Sequence, residues 1–408
     1  MGACTALAAQ REGYQVTLVE PATPGGPQAA SYGNGCWLSP SSVVPASLPG
    51  LWRKLPRFLL DPLGPLAIRF PHALRAAPWL LRYLASGWTE ARVLRTAHAL
   101  RALLQGAPAL HAELAAQAGV AQLIEQRGLL YIYPDRAAFT AEAMAWRLRA
   151  ATGVRWLELD ADELRQRAPE LDRRYGFGIL VEEGGHCTDP GAYVAALVAL
   201  AEAQGMRRIT ARATGFTLDG PSLRAIRTDA GEIAADRAII CAGIHSKPLA
   251  AMAGDNIPLE SERGYHAVIS SPEAAPRIPV MPSDGKMGIT MTAHGLRAAG
   301  QVEIAGLDAA PDWRRAEILR DHLLRIFPAL PRDLPAERVQ VWMGHRPSTP
   351  DGLPVLGASR LSPDILHGFG HGHVGLVAAP RSATLLLDLL AGRVPNLDSQ
   401  PYSPARFQ

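Results

Sequence analysis

An α/β chain interrupted by a second, α+β domain is what this sequence predicts, on three observations. Residues 2–20 read as a short glycine-led helix followed by a strand that ends in an acid. Strands and helices of similar type return at 188–245 and 341–400. Between these pieces lie two long excursions, 51–187 and 246–340, the second reading mainly as strand. One domain (1–50, 188–245 and 341–400) is therefore expected to carry another (51–187 and 246–340), built on a mainly antiparallel sheet. At 408 residues the chain is also too long for one compact core.

The opening stretch is the most informative. Gly2–Gly13 reads as a helix of small residues, and Tyr14–Glu20 as a strand. Ala6 follows Gly2 by four positions, Gly13 by eleven and Glu20 by eighteen. That is the second half of the Rossmann dinucleotide fingerprint. Gly2 stands as its third glycine, letting the helix approach the sheet, with a pyrophosphate at the helix N-terminus. Glu20 stands where an acid accepts hydrogen bonds from a ribose. The first strand and first two glycines are not in this sequence, a deficit on the order of ten residues; the expectation is a Rossmann-like domain whose first strand is missing, with an in-frame extension upstream. An ordinary helix and strand with a chance acid is the alternative for this segment taken alone.

Further along, Pro21–Pro45 is a loop of glycines and small residues that permits close approach to a ligand. Residues 51–88 are apolar, broken by prolines and basic, with Arg53, Lys54, Arg57, Arg69, Arg75 and Arg82 against Asp61. Helix is predicted from about 89 to 118, strands at 128–133, 154–158 and 176–181, and a helix at 161–167. Thr188-Asp-Pro starts a helix that runs to about 204. Strands follow near 208–218, 223–228 and 237–244, then a mainly strand region from 264 to 307 and a helix at about 313–326. A strand at 365–369 and a closing helix to about 392 complete the chain.

Composition narrows the function classes. Hydrophobic residues at 48% and charged residues at 19% describe a globular chain. A net charge of +3 gives no field for a nucleic-acid partner. The cysteines Cys4, Cys36, Cys187 and Cys241 are scattered without C-x-x-C spacing, which argues against a zinc site or disulfide framework and for a reducing cytoplasm. No uninterrupted apolar run reaches the ~18 residues of a spanning helix, and Met1 leads straight into a helix rather than a secretory leader.

Several segments together resemble the FAD-dependent D-amino acid oxidase/dehydrogenase superfamily, in particular its bacterial D-amino acid dehydrogenases of the small-subunit type. They are residues 2–20, ASYGNGCWLSPSSVVP (30–45), LLDPLGPLAIR (59–69), ERGYH (262–266), VEIAGLD (302–308), RPSTPDGLPVLG (346–357) and FGHGHVGL (369–376). They span almost the whole chain in family order. The resemblance implies non-covalent FAD, since no cysteine or histidine matches a flavin-linking position. It implies that Ala30, Ser31, Gly33 and Asn34 wrap the pyrophosphate and flavin with backbone N–H groups. Ala213 would meet the adenine, and Ala242-Gly243 would form a second turn against the cofactor.

The same resemblance places His371, Gly372, His373, Val374 and Gly375 beside the flavin ring, where the following helix would stabilise charge arriving with a hydride. His371-x-His373 lacks a third ligand at metal-site spacing, so no metal is expected. Arg346 would grip the substrate carboxylate with its planar fork. Tyr265 and His266 could line the pocket or simply pack.

The implied reaction is oxidative deamination of a D-amino acid by hydride transfer from Cα to flavin N5, giving an imino acid and then keto acid and ammonia. No protein base is assigned. D-hydroxyproline, glycine or sarcosine are alternative substrates. A non-catalytic subunit or remnant unable to hold FAD is the alternative of a different class. Quinone or oxygen would accept the electrons. Two readings stay open for 51–88: docking on an anionic inner-membrane surface, or broken helices covering the pocket.

Overall fold

The computed structural model describes residues 1–54, 60–61, 63–64 and 66–408; the predicted basic position Arg57 lies outside these. Along the chain, α1 (Gly2–Arg11) leads into β1 (Thr17–Val19). Then come α2 (Phe70–Ser86), α3 (Glu90–Leu104), α4 (Ala107–Gln117), β2 (Leu129–Tyr133) and β3 (Phe177–Val181). Next are α5 (Pro190–Ala203), β4 (Arg207–Ile209), β5 (Ala238–Ile240), β6 (Glu260–Ile269), β7 (Gly288–Thr292) and β8 (Gly295–Ile304). The last are α6 (Arg314–Ile326), β9 (Val339–Ser348), β10 (Val355–Ala358), β11 (Ile365–Phe369) and α7 (Gly375–Leu390).

The first domain carries its parallel sheet in two pieces. β1 pairs in parallel with β4, while β5 pairs in parallel with β11, whose other edge takes β10. Among the described residues, β1 and β5 each have one partner strand, and both border one cavity. α1 and α7 pack on this layer, and α5 packs on α1. The alanines of α1 make that approach possible, since Ala6 and Ala9 are buried beside Leu7, Leu197 and Leu386. α5 starts as its sequence requires: Asp189 caps the Ala192 N–H at 3.0 Å and Pro190 fills the first turn.

Two domain assignments change. α3 and α4 lie in the excursion 51–187, yet Leu100, Leu103, Leu104 and Leu114 join the core of α1, α5 and α7. His111 of α4 fastens the arrangement, its Nε2 donating to the Leu376 carbonyl at 3.0 Å and its Nδ1 lying 2.8 Å from the Tyr193 hydroxyl. β9 was placed with the first domain but is an edge of the second sheet, where all ten of its residues pair with β6. Their exposed apolar faces decide this, because each needs a buried partner that sequence order does not name. A further difference is that Gly372–Leu390 is long and apolar enough to cross a membrane by length and composition, although half of it is buried inside the protein.

The second domain is a nine-stranded, mainly antiparallel sheet. It runs β9-β6-β8-β7, then Val280–Pro282, β2, β3 and Leu157–Leu159, with Leu66–Ile68 added in parallel to β8. α6 covers one face, burying Leu319, Leu323 and Ile326 against Tyr265, Ala267 and Leu296. The opposite face of β6 and β9 turns toward the first domain, and the site forms there.

Candidate active site

A cavity of about 2200 Å³ runs along β1 and β5, past their carboxyl ends, to the β6–β9 face of the second sheet. Ligands of open α/β sheets bind at such carboxyl ends. Every predicted cofactor residue borders it: Gly2, Glu20, Ala30, Ser31, Gly33, Asn34, Ala213, Ala242, Gly243, Gly372, His373, Val374 and Gly375. Sequence segments more than 300 residues apart are thus brought together.

At the β1 end, Glu20 Oε1 accepts the Ala22 N–H at 3.3 Å. Burial raises its pKa, and that hydrogen bond and Arg212 oppose the rise. α1 begins at Gly2 with no side-chain cap and no acid in its first turn. Its leading N–H groups and positive dipole end are left for an anion.

The loop between Gly25 and Cys36 is held from several sides. A Cβ at Gly25 would meet the Gly191 carbonyl oxygen at 2.1 Å, and one at Gly33 would lie 2.0 Å from the Trp342 ring. Trp342 Nε1 donates to the Pro27 carbonyl at 2.9 Å, and the ring stacks on His266 at 5.3 Å between centroids. His266 Nδ1 donates to the Gly33 carbonyl at 3.0 Å. Asn34 Oδ1 accepts the Cys36 N–H at 2.7 Å and so supports Cys36 at φ 65°. His266 therefore positions the loop, a role that its place in the sequence did not reveal.

At the other end, α7 starts at Gly375, again without a side-chain cap or an acid in its first turn. His371 borders the cavity, but its Nε2 is hydrogen-bonded to Ser382 Oγ at 3.0 Å within α7. Burial brings its pKa down to about 3. The ring, taken as a catalytic candidate from its place beside the cavity, is instead tied to α7 and anchors the turn. His373 borders the cavity and keeps surface exposed there, yet desolvation by the surrounding protein, then nearby Arg346, lowers its pKa to about 4.

Arg346 sits on β9 with its guanidinium against the cavity. Nη1 donates to the Gln301 carbonyl at 2.9 Å and Nη2 to that of Gly300 at 3.3 Å. The fork lies over Gly264, where a Cβ would come within 2.2 Å of Nη2. Burial lowers the Arg346 pKa, and Glu262 opposes that. The guanidinium is thus held in place by carbonyls, and β6 is pared back to make room for it.

Tyr265 packs and does not serve the site. Side chains alternate along a strand, and Glu262, Gly264 and His266 share the cavity face with Arg346, Gly344 and Trp342. Tyr265 points to the other face, where its hydroxyl donates to Glu303 Oε2 at 2.7 Å and accepts the Asp312 N–H at 3.1 Å. It is part of the second domain's core and does not meet the cavity. The same alternation brings in residues that sequence reading missed: Glu262, Gly264, Trp342 and Gly344. Period-two spacing from Arg346 and His266 was the available signal, but the pairing register is a tertiary fact.

Taken together, two uncapped helix starts, a ribose acid and an arginine fork along one elongated cavity define a dinucleotide-dependent oxidoreductase. The sequence profile of the DAO family, FAD dependent oxidoreductases, matches residues 1–389, and the chain belongs to that family.

Among curated relatives, it is similar to a D-amino-acid oxidase of Bradyrhizobium diazoefficiens, 56% identical over 407 residues, covering 100% of this chain and 96% of the relative. A D-amino acid dehydrogenase 2 of Ralstonia nicotianae is 32% identical over 422 residues, covering 100% and 98%. Among solved structures, glycine oxidase from Geobacillus kaustophilus superposes with a TM-score of 0.72 at 20% identity, covering 99% of this chain and 95% of that one. At that identity the likeness speaks for the fold.

The residues present fit FAD. The uncapped start of α1 and the loop at Ala30–Asn34 would hold the pyrophosphate, Glu20 the ribose, and the turn at Gly372–Gly375 with the start of α7 the flavin. When bound, FAD accepts a hydride from the substrate. Toward that cavity the protein presents the Arg346 guanidinium and Trp342, which clamps the loop through the Pro27 carbonyl.

Proposed function

We propose that this chain oxidises D-amino acids to imino acids, which hydrolyse to keto acids and ammonia. The half-buried Arg346 fork, which borders the cavity together with the turn at Gly372–Gly375, carries the reading. It matches a carboxylate in geometry and charge and would hold the Cα–H in line for transfer. The names of the two curated relatives support the D configuration. The test is anaerobic mixing of the FAD-loaded protein with D- and L-alanine, D-proline, glycine and sarcosine while following the flavin band. Bleaching by D-amino acids ahead of the others is expected; no bleaching by any of them would sink the reading.

Two electron acceptors have support. The relative at 56% identity is named an oxidase, which favours oxygen. The outer face of α2 favours a membrane-borne acceptor such as quinone. Phe70, Leu74, Leu81 and, just beyond the helix, Trp88 are exposed at spacings that place them on one face, while Ala76 and Trp79 are buried opposite. Arg75 and Arg82 are exposed beside the stripe, and between 51 and 88 the sequence holds one acid, Asp61. An apolar stripe flanked by arginines suits peripheral contact with an anionic membrane. Co-sedimentation with phosphatidylglycerol vesicles, lost in phosphatidylcholine and in Leu74→Glu/Leu81→Glu, is the expected result. A protein that stays in the supernatant with both lipids would leave oxygen as the favoured acceptor.

A further inference from the structure

Glu262 is the direct cross-strand partner of Arg346, and both face the cavity. Its Oε2 accepts from Ser348 Oγ at 3.0 Å, while Oε1 has no hydrogen-bond partner among the described residues. The residue is only 8% exposed. Arg346 spends two donors on the Gly300 and Gln301 carbonyls rather than on this carboxylate. The groups around Glu262 are few: Glu260 on its own strand, tied to His72 at 3.2 Å; Arg346 and His345 on β9; Tyr83 on α2; and His373 before α7. A buried carboxylate left with one hydroxyl donor is costly unless a cation joins it.

An α-amino acid carries one negative and one positive group on the same carbon. Seating its carboxylate on Arg346 alone would put a second negative charge beside Glu262. Directing its ammonium group at Glu262 Oε1 neutralises both protein charges at once. Cross-strand neighbours are separated by roughly 5 Å between Cβ atoms, a span one zwitterion can bridge.

We propose that Glu262 binds the ammonium group of the substrate and takes up its proton before hydride leaves Cα. The inference rests on the amino-acid reading above. In this step an N–H bond of the ammonium breaks and an O–H bond forms at Glu262 Oε1, leaving a lone pair on nitrogen. That pair forms the C=N bond as the Cα–H departs with its electron pair to FAD; the substrate loses two electrons and FAD gains them. The Glu262 proton returns to solvent when product leaves. Burial raises the carboxyl's pKa, opposed by Arg346 and Ser348, which suits a group that must accept a proton.

The experiment uses FAD-loaded Glu262→Gln and Glu262→Asp. Two quantities are measured: kcat/KM for D-alanine across pH, and the affinity for propionate, a carboxylate without an amine, from the flavin spectrum. For Glu262→Gln, kcat/KM near neutrality should fall about 10²-fold and recover at alkaline pH, where the free amine prevails. Propionate should bind as well as before, or better. Glu262→Asp should keep the acid limb of the pH profile and restore part of the rate, and it provides the reading should the glutamine variant not fold.

A wild-type pH profile in the variants, or equal weakening of propionate and D-alanine, overturns the assignment. Wild-type protein that turns over no amino acid would overturn the underlying function and this inference together. Active wild type with unaltered variants overturns the inference alone.

Discussion

Arg346→Ala is expected to lower kcat/KM for amino-acid substrates by about 30- to 4,000-fold. Removing one partner of a buried, hydrogen-bonded charge pair costs roughly 2–5 kcal/mol, and each 1.4 kcal/mol is about a factor of ten. Arg346 has the attributes of such a partner: it is half-buried, oriented by the Gly300 and Gln301 carbonyls, and laid over a glycine. Arg346→Lys should recover little, because an ammonium cannot reproduce the bidentate fork. Gly264→Ala tests the same geometry from the other strand. Its new methyl would occupy the 2.2 Å gap to Nη2 and push the guanidinium aside, so substrate affinity should fall while FAD stays bound. The flavin spectrum and steady-state rates measured on all three variants decide the matter. An Arg346→Ala enzyme within tenfold of wild type would remove this residue from the substrate site.

Acid should unfold the protein well above the carboxylate range. Four enclosed histidines have pKa values lowered by burial: His111 and His186 to about 4, His266 and His371 to about 3. Each is neutral in the fold and takes a proton on unfolding once the pH is below the ordinary 6.5. Their contribution to stability is therefore complete above 6.5. It is lost as pH falls from there toward 4 for the first two and toward 3 for the others. At pH 5.5 the loss is about 1.4 kcal/mol per group, on the order of 5 kcal/mol together. That approaches the lower end of total stability for a domain, roughly 5–15 kcal/mol. Thermal melts followed by circular dichroism should show Tm dropping steeply between pH 7 and 5. A flat Tm across that interval would mean that these imidazoles are not held neutral.

Much of the site was legible in sequence because it is built from local motifs. Glycine at a helix start, an acid closing a strand and glycines around His371–His373 are backbone requirements, and those positions do border the cavity. Arg346 was legible for a similar reason, since it lies in a segment that resembles a family signature. Glu262 was missed, and Tyr265 stayed open between pocket and packing, for one cause. They lie three positions apart on β6, hence on opposite faces, and nothing local says which face meets the cavity.

By itself, then, the sequence determined the fold class, the family, the cofactor and a set of glycine-rich segments that all border one cavity, since each depends on short-range spacing and conformational freedom. Only the tertiary structure decided that α3 and α4 serve the core of the first domain and that β9 belongs to the second sheet. It alone placed Glu262 opposite Arg346 and sent Tyr265 to Glu303. Those outcomes depend on strand register and on which apolar faces meet, and both are settled by burial between segments hundreds of residues apart.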